Sequence, residues 1–257
     1  MRKRQKRGLS IIFHDPWVAS LADRFFHLPP LALGEVRLDG AEAHHLLHVL
    51  RAKPGMEVVL FDGSGAEFDA TVARSDRAAV YLNVSARREI DREPAVAVTL
   101  GVALPKGDRQ RWLVEKATEL GVARLVPLIT ARGVAQPVGA ALERFRRAVI
   151  EAAKQCGRNR LMEISEPQAW AEFVGGSMPD EAIRLVAHPG GIATSAALRG
   201  DGRAAREVWL AIGPEGGFSE PEVRQALDAG WQAVDLGRRL LRTETAAVAL
   251  AARVVLG

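Results

Sequence analysis

The sequence predicts an α/β protein in two parts, with a mostly parallel β-sheet domain preceded by a small β-barrel domain. Residues 22–85 carry short runs in which apolar and polar residues alternate, the pattern of half-buried strands. From residue 95 onward, continuous apolar runs alternate with helix-like runs, which is typical of a parallel sheet covered on both faces. Residues 86–94 between them are highly charged and end in a proline, which favours an interdomain linker.

The N-terminal part contains four predicted strands, at residues 35–38, 57–61, 67–73 and 79–84. Asp62-Gly63-Ser64-Gly65 lies between two of them and predicts a tight hairpin turn, because glycine tolerates a positive φ. One helix is predicted over residues 40–51. These elements indicate a small barrel with one embedded helix, preceded by a basic, irregular segment at residues 1–21.

The C-terminal part, residues 95–257, contains five predicted strands, at residues 96–103, 124–129, 184–187, 207–212 and 232–236. Helices are predicted at 109–120, at 140–155 and after each of the last two strands. Asp108 is a candidate N-cap for the first of these helices. The order strand, helix, strand predicts βαβ units and hence parallel pairing.

Composition excludes some classes of protein. The 257-residue chain has a formal net charge of +4, and Arg2, Lys3, Arg4, Lys6 and Arg7 account for more than all of it. The rest of the chain is close to neutral, so any nucleic-acid surface must be a local patch. The basic tail is either an RNA-contacting arm or a solvated terminus. A single cysteine, Cys156, excludes an intrachain disulfide and fits the reducing cytoplasm. No apolar run is long enough to predict a membrane span or a signal peptide.

A glycine-rich loop follows the predicted strand at 207–212. It comprises Gly213-Pro214-Glu215-Gly216-Gly217, and Ser219 and Glu222 then form a capping box for the next helix. Ligands of open α/β sheets bind at such strand ends. The loop lacks the Lys-Ser/Thr and GxGxxG patterns of phosphate sites, and the Glu215 carboxylate would repel a phosphate. A nucleoside triphosphate is therefore not expected, and the loop by itself is either a ligand site or a plain turn.

A second loop follows the strand at 232–236. Gly237 begins it, Leu240 and Leu241 are apolar where polar residues are expected, and Arg242 precedes a helix. Such leucines either pack into the core or line a pocket for a flat apolar group such as adenine. An arginine at the pocket edge suits an anion or a developing negative charge.

Taken together, these segments resemble the ribosomal RNA small subunit methyltransferase E family of SPOUT-class RNA methyltransferases. The resemblance extends over nearly the whole chain from about residue 22. Its most specific stretches are residues 212–220 (IGPEGGFSE) and 236–246 (LGRRLLRTETA); residues 42–51 (EAHHLLHVLR), 60–63 (LFDG) and 115–121 (EKATELG) support it. Two departures from the family pattern are Cys156, where serine is more usual, and the absence of a proline at 159–164.

The resemblance implies a PUA-like RNA-binding barrel at residues 22–85 and a methyltransferase domain with a deep trefoil knot at 95–257. It implies a homodimer that binds S-adenosylmethionine in the knot loops. It also implies methylation of N3 of a uridine in 16S ribosomal RNA of the small subunit, without a metal. The alternatives are another RNA methyltransferase of this fold, acting on another base or a ribose 2′-OH, and a non-catalytic RNA-binding protein.

Site residues are predicted on this basis. Arg242 stabilises the anion of the base, and Glu215 or Glu244 orients the base or accepts its proton. The predicted cofactor-binding residues are His188, Ile212, Gly213, Gly216, Gly217, Leu236, Gly237, Leu240, Leu241 and Thr245. The predicted RNA-binding residues are His44, His45, His48, Arg51, Lys106 and Arg109.

Several of these positions have a second interpretation. His44 and His48 have the i, i+4 spacing of metal ligands, but no further His or Cys cluster completes a site, so an RNA-facing or plain surface helix is favoured over zinc. Lys106 and Arg109 either contact phosphate or are solvated. The same choice applies to a cluster on and after the second helix, namely Arg144, Arg146, Arg147, Lys154, Arg158 and Arg160. Residues 188–191 either line the pocket or form a turn.

Overall fold

The computed structural model describes residues 24–134, 139–198 and 206–256. The predicted basic segment at 1–21 therefore lies outside the described residues. The part that is described forms two sheets, one in each predicted domain. None of its helices is both long and apolar enough to cross a membrane.

The first sheet has five strands in the order β1-β3-β4-β5-β2. The strands are β1 (Arg24–Phe26), β2 (Gly34–Leu38), β3 (Glu57–Phe61), β4 (Ala66–Ser75) and β5 (Val80–Glu89). β1 pairs with β3 in parallel, and the other neighbours are antiparallel. Phe25, Leu60, Phe68 and Leu82 form its buried core, which Leu46 of the embedded helix completes. The sequence predicted four of these strands and missed β1.

The embedded helix changes its hydrogen-bond pattern along its length. Residues Gly40–His44 form α1, and His45–Val49 continue it as a π-helical turn. The Leu50 amide donates to the His45 carbonyl over 3.1 Å, five residues back. The prediction of a helix over 40–51 is confirmed in type, although it ends two residues early.

The predicted linker at 86–94 is wrong in its first half. β5 continues through Glu89 and pairs with the start of β4, with Arg88 opposite Glu67 and Arg87 opposite Phe68. Charged residues sit in this strand because the Arg88 guanidinium lies 2.6 Å from the Asp69 carboxylate on the neighbouring strand. High charge therefore did not indicate a loop, and the stretch outside regular strands begins at Ile90.

The second sheet has seven strands, six of them in the order β12-β10-β11-β6-β7-β8, with β9 also pairing with β7. The strands are β6 (Ala97–Val102), β7 (Arg124–Ile129), β8 (Glu163–Ile164), β9 (Gln168–Ala169), β10 (Ile183–Ala193), β11 (Glu207–Ile212) and β12 (Gln232–Asp235). All their pairings are parallel. The predicted mostly parallel sheet is confirmed; the trefoil knot stays a prediction.

Helices cover both faces of this sheet. They are α2 (Arg109–Glu119), α3 (Ala140–Cys156), α4 (Trp170–Gly175), α5 (Thr194–Ala197), α6 (Glu220–Asp228) and α7 (Thr243–Val255). One core includes Leu113 of α2, Leu142 of α3 and Leu250 of α7. A separate core contains Phe173 of α4 and Val223 of α6. The sequence missed the short elements β8, β9, α4 and α5, which carry little periodic signal.

β10 is longer than predicted. Instead of ending at Ala187, it continues to Ala193 through His188-Pro189-Gly190-Gly191, with a shift in its register against β12 between Ala187 and Ile192. Gly191 permits this because a Cβ there would lie 2.5 Å from the carbonyl carbon of Ala233. Of the two alternatives for residues 188–191, the turn is wrong, because these residues continue the strand beside β12.

The two domains meet at a buried polar junction. The Arg24 guanidinium pairs with the Glu67 carboxylate, and its Nη2 also donates to Asn159 Oδ1 over 2.5 Å. Arg92 Nη1 donates to the same carboxylate over 2.5 Å and to the Gly157 carbonyl over 2.9 Å. Burial alone would raise the pKa of Glu67, but hydrogen bonds from Arg92 and Arg24 outweigh it and hold that pKa below its ordinary value. Arg24 of the barrel and Arg92 of the segment after β5 are therefore fixed to one carboxylate, and each also donates to the segment after α3.

Candidate active site

The glycine-rich loop after β11 leads directly into α6. Glu222 N donates to Ser219 Oγ over 3.4 Å, and Ser219 N donates to Glu222 Oε2 over 2.7 Å, so the predicted capping box is present. Gly217 N donates to the Pro214 carbonyl over 2.8 Å and closes the turn. Gly217 has φ +69°, a conformation that favours glycine.

The loop after β7 is fixed to this glycine-rich loop. Ala131 N donates to Glu222 Oε1 over 2.7 Å, and Arg132 Nη1 donates to the Gly216 carbonyl over 2.8 Å. Glu222 therefore caps its own helix with one oxygen and holds a neighbouring loop with the other. The sequence predicted only the first of these roles.

Asp235 joins the second loop to the end of β10. Its Oδ1 accepts from Gly237 N over 2.7 Å, and its Oδ2 accepts from Gly190 N over 3.1 Å. The hydrogen bonds from Gly237 and Gly190 lower the pKa of the Asp235 carboxyl. Sequence reasoning missed this residue, although an aspartate two positions before a glycine is a signal for such a turn.

The start of α7 connects the two glycine-bearing loops. Arg242 occupies the N-cap position, and Thr243 Oγ1 donates to the Gly213 carbonyl over 3.2 Å. The loops after β11 and β12, predicted to form one pocket, are thus in direct contact.

These segments enclose a cavity of about 480 Å³, within the range of small-molecule sites, roughly 300–1,000 Å³. Its walls combine loop backbone with apolar side chains. The predicted cofactor residues that line it are His188, Ile212, Gly213, Gly216, Gly217, Leu236, Gly237, Leu240 and Leu241. Pro189, Asp235, Thr243 and Ala246 also line it and were not predicted.

Two predicted cofactor contacts differ in detail from the prediction. Thr245 is exposed and is not among the described residues that line the cavity, because Thr243 and Ala246 share the helix face that does. Leu240 borders the cavity but is 97% exposed, whereas Leu241 packs partly against the core. Of the two leucines, only Leu241 is therefore part of an apolar wall.

Charged side chains from three elements meet beside the cavity. Arg109, the first residue of α2, has its Nη2 3.3 Å from Glu215 Oε1 and its Nη1 3.6 Å from Glu244 Oε2. The Glu244 side chain is 8% exposed and that of Glu215 is 41% exposed. Arg242 is exposed and lies outside the cavity lining. Glu215 and Glu244, the two predicted catalytic carboxylates, thus both lie next to Arg109, which the sequence predicted to bind RNA.

The predicted RNA-binding residues do not share one environment. His44 and His48 are exposed with ring centroids 4.6 Å apart, and Arg51 and Lys106 are also exposed. His45 is half-buried with its ring 5.9 Å from that of Phe25, so it packs partly against the barrel, unlike the two exposed histidines. Within the described ranges, no group of three or more metal-ligating side chains occurs.

The arginine cluster on and after α3 is not a single stripe. Arg158 is buried and donates to both Glu93 oxygens and to the Val122 carbonyl, so it is a structural residue of the junction. Lys154 Nζ lies 2.8 Å from Glu42 Oε1 of the barrel. The helical spacing alone did not reveal these partners, because both carboxylates come from distant segments.

Each of the two domains matches a known protein family. Residues 92–255 match the RNA methyltransferase domain family, and residues 38–85 match the RNA methyltransferase PUA domain family. Ribosomal RNA small subunit methyltransferase E of Mycobacterium bovis is 36% identical over 230 residues, covering 85% of this chain and 86% of the relative. Its Synechocystis counterpart is 35% identical over 221 residues, covering 84% of this chain and 71% of the relative.

Two solved structures are similar to this structure over 90% of the chain. Ribosomal RNA small subunit methyltransferase E of Neisseria gonorrhoeae, bound to S-adenosyl methionine, superposes with a TM-score of 0.81 at 32% identity and covers 90% of this chain and 95% of its own. A proposed methyltransferase of Legionella pneumophila, in complex with the same cofactor, has a TM-score of 0.82 at 31% identity, with 90% and 96% covered.

Proposed function

The chain belongs to the ribosomal RNA small subunit methyltransferase E family, and from this premise we propose that it methylates N3 of a uridine in 16S ribosomal RNA with S-adenosylmethionine as methyl donor. The observation that carries the proposal is the cavity in which the loops after β11 and β12 meet through Thr243 and Gly213. These loops are the segments whose sequence carries the family resemblance.

The chemistry of the cavity fits this donor. Ile212, Leu236 and Leu241 offer apolar surface for an adenine ring, and glycine backbone offers N–H and C=O groups for its polar atoms. Glu215 on the lining would repel a phosphate but suits a molecule that carries a positive sulfonium. S-adenosylmethionine supplies an electrophilic methyl group when bound.

The protein must present an accessible and deprotonated N3. N3 lies on the Watson–Crick edge, so the target uridine has to be unpaired or flipped out of its helix. The N3–H bond breaks when its proton passes to a carboxylate, and the N3–methyl bond would then form as the methyl–sulfur bond of the donor breaks and leaves a neutral thioether. Glu244 suits this role because it is buried and its Oε2 accepts no hydrogen bond from the described residues. Glu215, which is more exposed, would orient the base at the rim.

Arg242 is the proposed group for stabilising the negative charge on the base. It stands at the N-cap of α7, one residue from the Thr243 contact between the two loops. A guanidinium there would interact with the uracil anion more strongly than with the neutral base, which is the condition for accelerating transfer.

Primer extension on 16S ribosomal RNA tests the reaction. A methyl group at N3 blocks base pairing and stops the polymerase, so RNA from a deletion strain should be read through and should regain the stop when the gene is restored. Read-through after restoration would reject N3 as the target and favour another base or a ribose 2′-OH. No binding of S-adenosylmethionine in calorimetry would instead favour a non-catalytic RNA-binding protein.

Arg242→Ala tests the residue assignment. We expect unchanged affinity for S-adenosylmethionine, because Arg242 lies outside the cavity lining, and a loss of turnover of about 10²–10³-fold. Turnover near that of the wild type would reject the role. Arg253→Ala is a matched control, because this exposed arginine lies on the same helix, α7, and also outside the cavity lining.

The partners proposed for the reaction are the small-subunit ribosomal RNA and a second copy of the chain as homodimer. We expect the exposed pair His44 and His48, with Arg51 and Lys106, to contact RNA. The expected location is the cytoplasm, where the small subunit is assembled. Light scattering of the purified protein would check the dimer.

A further inference from the structure

One cation of the larger domain contacts both predicted catalytic carboxylates. Arg109 Nη2 lies 3.3 Å from Glu215 Oε1 in the loop after β11, and Arg109 Nη1 lies 3.6 Å from Glu244 Oε2 on α7. Three segments that are far apart in sequence therefore meet at one guanidinium. Each carboxylate faces a different terminal nitrogen of the planar fork, an arrangement that a lysine ammonium does not reproduce.

Burial makes this contact important for Glu244. Its side chain is 8% exposed, and its Oε2 accepts no hydrogen bond within the described ranges. A buried carboxylate requires a nearby positive charge, and Arg109 supplies it. Glu215 adds a second negative charge to the same guanidinium, so the cation also separates two groups that would otherwise repel.

Arg109, the first residue of α2, differs in this respect from Lys106 in the preceding loop. Lys106 is exposed and has no ion pair among the described residues, as a phosphate contact requires. Arg109 is only 36% exposed in its side chain, and its charge is already engaged. The backbone beside it is fixed, because Gln110 Nε2 donates to the Pro105 carbonyl over 2.7 Å.

We propose that Arg109 is a positioning residue of the methyl-transfer site, which holds Glu215 and Glu244 in place at the cavity. This role replaces the phosphate contact that the sequence predicted for it. The inference rests on the proposed function, because it assigns Arg109 to the carboxylates that act on the target base. Replacement of Arg109 should leave the affinity for RNA unchanged but the target base poorly oriented.

The test compares Arg109→Gln and Arg109→Lys with Lys106→Gln and Arg111→Gln. Arg111 is a matched control because it lies on the same helix and pairs only with Glu115 of its own helix among the described residues. Four quantities are measured: kcat, KM for RNA, the salt dependence of RNA affinity, and S-adenosylmethionine affinity by calorimetry.

We expect Arg109→Gln to lower kcat by about 10²-fold, the scale of a misplaced catalytic group. KM, both binding affinities and the salt dependence should stay close to the wild-type values. Arg109→Lys should recover part of kcat, because it keeps the charge but loses the two-sided contact. Lys106→Gln should weaken RNA binding and reduce the slope of log K against log salt by roughly 0.7–0.9, the contribution of one phosphate contact. Arg111→Gln should retain the wild-type kcat.

A reduced salt slope with unchanged kcat in Arg109→Gln would overturn the inference and restore the phosphate contact. Equal kcat in the wild type and Arg109→Gln would also overturn it. If Arg109→Gln lowers the melting temperature, the variant Arg109→Gln/Glu244→Gln supplies a readout independent of activity. The inference requires that this double variant melt no lower than Arg109→Gln alone, and a lower value rejects the pairing. Failure of the wild-type protein to methylate N3 would reject the proposed function separately, before any variant is compared.

Discussion

Removing the negative charge of Glu67 should destabilise the junction between the two domains. Glu67 is 1% exposed and receives hydrogen bonds from Arg24 and Arg92. The Arg24 side chain is also 1% exposed, so Glu67→Gln leaves a buried guanidinium without its counter-ion. Breaking such a pair by removing one partner costs about 3–5 kcal/mol, more than the hydrogen bonds that glutamine could keep.

The expected cost corresponds to a large change in melting temperature. For chains of this size, 1 kcal/mol lowers Tm by about 2–4 °C, so Glu67→Gln should melt roughly 6–20 °C below the wild type. Differential scanning calorimetry at neutral pH measures this directly. The control is Glu35→Gln, whose partner Arg74 is more than half exposed, and a pair of that kind contributes about 0–1 kcal/mol.

The reasoning would be refuted by a Glu67→Gln variant that melts within about 2 °C of the Glu35→Gln control. Such a result would mean that water or a relaxed Arg24 side chain satisfies the guanidinium, and that the junction does not depend on its central carboxylate.

Other variants test the cavity and the junction. Gly191→Ala should lower the affinity for S-adenosylmethionine by roughly tenfold or more in calorimetry, because the added Cβ meets the backbone of Ala233 at 2.5 Å and pushes β10 away from β12. An affinity equal to that of the wild type would show that the strand pair yields without effect on the cavity. Asp235→Ala should weaken the same binding roughly tenfold, since it frees the amides of Gly190 and Gly237; retained affinity would show that the loops hold their places unaided. The pKa of the Glu67 carboxyl is lower in the folded protein than its unfolded value of about 4.3. The ionised carboxylate therefore stabilises the fold fully above about pH 4.3, and this stabilisation is lost as the pH falls through the lower folded pKa. Tm should therefore fall more steeply below about pH 4.3 in the wild type than in Glu67→Gln. Parallel curves of Tm against pH for the two proteins would contradict this.

Local patterns predicted much of the fold. The strand β7 and the start of α2 match the prediction residue for residue, because their apolar runs and flanking turn residues are unambiguous. β5 and β10 were predicted too short. Their extra residues are charged or glycine-rich, and only pairing with β4 and β12 makes them strands.

The site was predicted to the level of loops but not of side-chain contacts. Gly213 and Gly237 were assigned to one pocket because parallel strands end at one edge of the sheet. Arg109 was assigned to RNA because the local sequence shows no partner for a positive charge at the start of this helix. Glu215 and Glu244 follow it by more than one hundred residues, and nothing in local periodicity indicates that three-way contact.

The strand order of the large sheet also constrains how the protein is made. β6 lies between β7 and β11, yet β11 follows β6 in the chain by more than one hundred residues. During synthesis, β6 and β7 emerge early and expose an apolar, unpaired strand edge until Glu207–Ile212 leaves the ribosome. Translation that stalls before β11 therefore yields a chain prone to aggregation. The cavity is completed still later, when α7 joins the two loops, so cofactor binding would be available only to chains synthesised through α7.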